Sequence, residues 1–210
     1  LISILVSCKD QAANKAQISS ECTKQDSGRG IYFWKTKFNL NDYELRFLKE
    51  HDITRLYVKF FDVALDNHSS DDTLSIVPIA TTRFESGFPY DIEVVPTVYI
   101  TYEALAHLKG KDRKDIESYT QRILTRIGAM ISYHEIKNVK EVQFDCDWTS
   151  STSYTYDSIC RYAKRALNQQ GRLFSITLRL HQMKLTEYYF PSADRGVLML
   201  YNTGSFKNPN

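Results

Sequence analysis

The chain has 210 residues, with 27 Lys and Arg against 25 Asp and Glu, for a net charge of +2. That length suffices for one domain with a real core. The near-balance, with lysines spread along the whole chain, excludes the concentrated basic face of a nucleic-acid binder. Aromatic residues make up 13%, with 14 tyrosines, side chains that suit half-wet surfaces and the walls of sugar clefts as well as ordinary strands. The four cysteines, at positions 8, 22, 146 and 160, form no CxxC and have no neighbouring His in zinc spacing. Cys146 and Cys160 fall in apolar patterns and read as buried thiols; Cys22 lies in a polar stretch and has no assignment.

Leu1 to Ser7 is an apolar run that ends in Leu5-Val6-Ser7-Cys8. The pattern resembles the lipobox of bacterial lipoproteins. That resemblance implies a lipid on Cys8, attachment to a membrane through that lipid only, and a place in the bacterial cell envelope, periplasmic or on the outer-membrane surface. The basic segment and initiator Met of such a signal are absent, so the chain is expected to start partway into it. Residues 9–30 are polar and read as a flexible tether. The alternative, a short buried strand, would lead directly into structure. No segment approaches the ~20 apolar residues of a membrane span. The expected organisation is a signal remnant over 1–8, a tether over 9–30 and a folded domain over 31–210.

From Ile31 the pattern predicts alternating strands and helices. The first strand spans 31–38. A helix follows over 41–49, with Asn41 and Glu44 as a capping box and Leu40 and Leu45 as a hydrophobic staple. Strands are predicted at 54–63 and 92–101. Ile116, Tyr119, Ile123, Ile127 and Ile131 recur at helical spacing. A strand over 139–148, a helix over 155–170 capped by Gly171, and strands over 173–181 and 197–202 complete the series. Such alternation argues for parallel strands joined by crossovers. No glycine-rich loop follows the first strand, and one face of each strand is too polar for a sheet covered on both sides, so an open nucleotide-binding sheet is disfavoured. The expected fold is an α/β, (β/α) TIM-type barrel, incomplete at about six of eight strands, since a full barrel needs about 250 residues. The chain is then expected to be a fragment lacking the last two strand–helix units.

Alternation places Gln143, Asp145 and Asp147 on one face of the fourth strand and Val142, Phe144, Cys146 and Trp148 on the other. The same rule groups Ser175, Thr177, Arg179 and His181 in the fifth strand, Tyr57, Lys59 and Phe61 in the second, and Thr97, Tyr99 and Thr101 in the third. In the first, either Trp34 or Lys35 points inward. The polar faces converge at the C-terminal ends of the strands, where barrel active sites are built. Adjacent carboxylates separate their pKa values, as acid/base work requires. Asp145 and Asp147 are therefore the catalytic candidates, and Lys59, Tyr99, Arg179, His181, Tyr201 and Asn202 the substrate-binding ones. An alternative for Asp145 and Arg179 is a structural ion pair, and for His181 a core histidine.

Asp145-Cys146-Asp147-Trp148 resembles the D-x-D-x-E strand of family-18-type chitinases, with Thr149 in place of the terminal Glu. Residues 32–202 also resemble a set of uncharacterised bacterial lipoproteins with glycosidase-like barrels, through Phe144-Asp145-Cys146-Asp147-Trp148, Leu178-Arg179-Leu180-His181-Gln182 and Leu200-Tyr201-Asn202-Thr203-Gly204. The resemblance implies a carbohydrate ligand or substrate. Threonine cannot protonate a glycosidic oxygen, so another carboxylate must act as acid in any hydrolase. Two readings follow: a glycoside hydrolase using Asp145 or Asp147, with Trp148, Tyr99 or Tyr201 as stacking surfaces, and a glycan-binding or scaffold lipoprotein that lost the acid. A metal-dependent hydrolase on Asp145, Asp147 and His181 and imine chemistry on Lys59 have less behind them. No cofactor and no metal is expected.

Overall fold

A computed structural model of the chain describes residues 28–66, 76–184 and 190–200. Its centre is a curled sheet of six parallel strands: β1 (Arg29–Phe33), β3 (Ile53–Leu65), β6 (Glu93–Ile100), β7 (Glu141–Cys146), β8 (Leu173–Arg179) and β9 (Arg195–Met199), side by side in that order. The fold is an incomplete TIM-type barrel, as the alternating sequence pattern predicted. A short strand β4 (Ile76–Ile79) pairs antiparallel with the end of β3, and β2 (Lys37–Phe38) pairs with β5 (Arg83–Phe84) in a two-stranded sheet apart.

The helices cover the convex face. In α1 (Asp42–Glu50) the Asn41 side chain accepts from the Glu44 N–H and Glu44 accepts from the Asn41 N–H, completing the capping box. The staple is not closed by burial: Leu40 packs on the core, but Leu45 remains 41% exposed. After the short α2 (Tyr102–His107), α3 (Arg113–Tyr133) buries Ile116, Tyr119, Ile123, Ile127 and Ile131, the stripe that its 3.6-residue spacing sets. Helix α4 (Ser153–Asn168) lies beside α3 and under β8, burying Ile159, Cys160, Ala163 and Leu167. Gly171, at φ +69°, ends its turn in the left-handed region.

The convex core takes the apolar face of every strand, including Val142, Phe144 and Cys146 from β7 and Phe174, Ile176 and Leu178 from β8. Trp148 lies just past β7, fully buried in the same core and stacked near Tyr156, so its outward turn matches the alternation and removes it as a stacking surface for a ligand. The concave face carries a separate cluster of Tyr57, Val95, Val197 and Met199, with Tyr32 against it.

Several predicted bounds are corrected. The first strand breaks after Phe33, and only Lys37–Phe38 resumes extended pairing, with a different partner. Strand β1 begins at Arg29, within the stretch expected to be tether. Strand β8 stops at Arg179, and Leu180–Met183 form a short helix α5. Strand β9 begins two residues earlier than expected. Cys8, Cys22, Tyr201 and Asn202 lie outside the described residues. No helix among the described residues is long and apolar enough to cross a membrane.

Candidate functional site

The concave face is layered. At the N-terminal ends of the strands, Arg55 bonds Glu93 at 3.0 Å and Arg195 bonds the fully buried Glu141 at 2.9 Å. These pairs lie at the opposite end from the C-terminal mouth, where barrels carry their chemistry. Above them the Tyr32 hydroxyl donates to Gln143 (2.8 Å), whose amide donates to Ser175 (3.2 Å). This layer closes the floor of a pocket at the C-terminal mouth.

The pocket has a volume of about 300 Å³. One wall is built by β7 and β8. Register continues the alternation read from the sequence: Tyr99 pairs with Asp145 across β6 and β7, and Arg179 with Met199 across β8 and β9. Arg179 joins both aspartates, Nη2 to Asp145 Oδ1 at 2.9 Å and Nε to Asp147 Oδ1 at 2.8 Å. The Thr177 hydroxyl accepts from Arg179 Nη1 (3.1 Å) and donates to Asp145. The two carboxylates are thus in different settings. Asp145 is buried, with a side chain 6% exposed, and burial pushes its carboxyl above the usual carboxylate range while Arg179 and Thr177 pull it back. Asp147 is 44% exposed and opens onto the pocket.

Tyr99, beside Asp145 on the neighbouring strand β6, is half-buried, and burial with the two nearby carboxylates pushes its phenol up to about 12. It is therefore a neutral hydroxyl donor and acceptor at physiological pH.

The opposite wall comes from β3 and β1. Lys59 bonds Asp62 at 2.7 Å, and both line the pocket. Strict alternation turns residue 62 away from residue 59. Here the register with β6 slips between Lys59 and Phe61, a bulge that lets Phe60 and Phe61 both enter the convex core. Asp62 thereby returns to the concave face, and Phe61 does not share the face of Lys59 as alternation predicted. Two adjacent buried aromatics flanked by Lys59 and Asp62 are the sequence signal that could have revealed the bulge. Trp34, ambiguous in the sequence, stands at the rim, 37% exposed, its ring parallel to Tyr32 at 5.4 Å. Tyr32 in turn stacks on Tyr57, so three aromatic rings climb one wall.

His181 does not join the group. It sits exposed on α5, because β8 has ended two residues before it. The residue that matters there is Gln182, fully buried. Its amide donates to the carbonyls of Cys146 (3.1 Å) and Trp148 (3.0 Å), and its carbonyl accepts from the Arg179 N–H (2.8 Å). One side chain thus ties the ends of β7 and β8 and fixes Asp147 against Arg179. Thr149 turns into the connection to α4, its N–H donating to Thr152 (3.0 Å) and its hydroxyl bonded to Ser151 (3.0 Å). Among the described residues no group of three His, Cys, Asp or Glu side chains is arranged to hold a metal ion.

No family model matches the chain, and no curated protein sequence matches it. Among solved structures, the chain is similar to the spore cortex-lytic enzyme SleL of Bacillus cereus, with a TM-score of 0.43 and 13% identity over 72% of this chain. The chain spans only 35% of the length of that enzyme.

Proposed function

We propose that the chain belongs to an exported lipoprotein whose barrel acts on or binds a carbohydrate at the pocket between Trp34 and Asp147. The observation that supports this reading is the meeting, at the C-terminal mouth, of a half-exposed carboxylate, a guanidinium, a neutral phenol and an exposed indole. Sugars present apolar ring faces to aromatic rings and hydroxyls to such polar groups. In the hydrolytic form of the reading Asp147 is the group exposed to the reacting bond. Arg179 and Tyr99 orient hydroxyls, and Asp145 acts through Arg179 as a positioning residue. Hydrolysis needs a second carboxylate, and among the described pocket carboxylates Asp62 is the one paired with Lys59 instead of Arg179.

A second reading, binding without cleavage, is favoured by a specific observation. Asp62, Asp145 and Asp147 are each ion-paired to a cation, and the position of the chitinase-type acid is Thr149, bonded into its own turn. Assaying the chain and Asp147→Asn against bacterial and host glycans, for both bound and released sugar, separates the two. Released product that disappears in the variant establishes hydrolysis, and retained binding without product establishes a glycan binder. Absence of both for every glycan would overturn the carbohydrate reading.

The export half of the proposal rests on Leu5-Val6-Ser7-Cys8. Expressed in a bacterium behind an added initiator Met and basic segment, the protein should incorporate labelled palmitate and partition into detergent, and Cys8→Ser should do neither. A soluble, unlabelled wild type would overturn the anchor.

A further inference from the structure

The pocket's charges are few enough to count. Among the described residues its cations are Lys59 and Arg179, and its carboxylates are Asp62, Asp145 and Asp147. Lys59 is matched by Asp62 at 2.7 Å, and both side chains are mostly buried. Arg179 is shared by Asp145 and Asp147. At Asp145 the Arg179 guanidinium and the Thr177 hydroxyl both donate, opposing the upward push of burial on its carboxyl. Among the described residues three carboxylates thus face two cations in the pocket, and Asp147 is the carboxylate open to it. Among the described residues no surplus cation lines the pocket to receive an anion, because Lys59 and Arg179 are each engaged by a buried or half-buried partner.

From this we infer the charge class of the saccharide: the pocket takes neutral or amino sugars and excludes uronates and sialates. The inference rests on the carbohydrate reading above and refines it. An incoming carboxylate would approach Asp147 and Asp62 with its hydration stripped and with both cations already neutralised. Like charges placed opposite each other in a site act as a discriminating element rather than a merely weak contact. A protonated amine meets the opposite situation: Asp147 has an open face, and Tyr99, kept as a neutral phenol, offers an acceptor oxygen. The ring of either permitted sugar has Trp34 to lie on, since one face of the indole is covered by Tyr32 and the residue stays exposed at the rim.

The test is a printed array of neutral, amino-sugar, uronate and sialate glycans, read with the full chain and with Asp147→Asn and Trp34→Ala. Signal is expected on neutral and amino glycans only. Asp147→Asn should reduce the preference for amino over neutral glycans about tenfold, and Trp34→Ala should lose binding to both. Signal on uronates or sialates equal to that on neutral glycans would overturn the charge inference while leaving the carbohydrate reading in place. Silence on every class, from chain whose circular dichroism shows it folded, would overturn the carbohydrate reading itself and the inference with it.

Discussion

Replacing Arg179 by methionine keeps much of the aliphatic stem but removes the cation between two carboxylates. At 2.9 Å, with an effective dielectric constant near 20, the attraction to Asp145 is about 6 kcal/mol gross. Desolvation of the two ions offsets most of it, so the cost of the substitution is set by the buried carboxylate left unpaired, about 3–5 kcal/mol. Asp147, 44% exposed, keeps its hydration and adds little. The dependence on pH has a definite sign. Burial already holds the Asp145 carboxyl above its ordinary range, and without Arg179 the opposing pull is gone. With a folded pKa above the unfolded value of about 3.9, folding takes up a proton. The penalty is therefore absent below the unfolded value, grows as pH rises through the folded one, and is complete above it. Thermal unfolding of wild type and Arg179→Met at pH 8 and pH 4 reads this directly. A loss of roughly 6–20 °C is expected at pH 8 for a chain of this size, and a clearly smaller one at pH 4. An equal loss at both pH values would refute the electrostatic account and leave only lost packing.

Asp147→Asn should change stability by less than about 1 kcal/mol, because the carboxylate is half-exposed, while altering ligand binding or turnover; urea denaturation beside the glycan assay checks both. Gln182→Ala should cost about 2–4 kcal/mol, since it leaves the Cys146 and Trp148 carbonyls and the Arg179 N–H without the partner they have in the fold, and the same denaturation measures it. Gly171→Ala should cost about 1 kcal/mol through strain at φ +69°, with no effect on ligand binding. Tyr32→Phe removes the donor to Gln143 and should cost about 1 kcal/mol, read as a shift of the urea midpoint with unchanged slope.

The parts of the fold legible in the sequence are those where one rule runs uninterrupted. Strand β7 alternates without a break from Glu141 to Cys146, so its residue pattern alone assigns Gln143 and Asp145 to the concave face and Phe144 and Cys146 to the core. The stripe of α3 and the Asn41–Glu44 cap follow from spacing in the same way. The misses occur where a tertiary contact interrupts the rule. In β3 the bulge at Phe60 resets the alternation, which hid Asp62 and misplaced Phe61. At the end of β8, Leu180-His181-Gln182 continues an alternating pattern, yet the chain turns helical because the Gln182 side chain folds back onto the Arg179 N–H and reaches across to β7. No local pattern announces that contact, which carries His181 onto an exposed helix and away from the pocket. The direction of Trp34 is not legible in the pattern because β1 is only five residues long and ends just before it.

The central claim is that a carbohydrate occupies the pocket beside Trp34. The chain has two tryptophans, and Trp148 is fully buried, so a ligand in the pocket meets Trp34, and Trp34→Phe separates its emission from that of Trp148. Titrating wild type and Trp34→Phe with neutral and amino oligosaccharides is the most direct measurement. The account predicts a saturable change in emission for wild type with at least one glycan and none for Trp34→Phe. A response that persists undiminished in Trp34→Phe, or no response from wild type to any glycan, would contradict it.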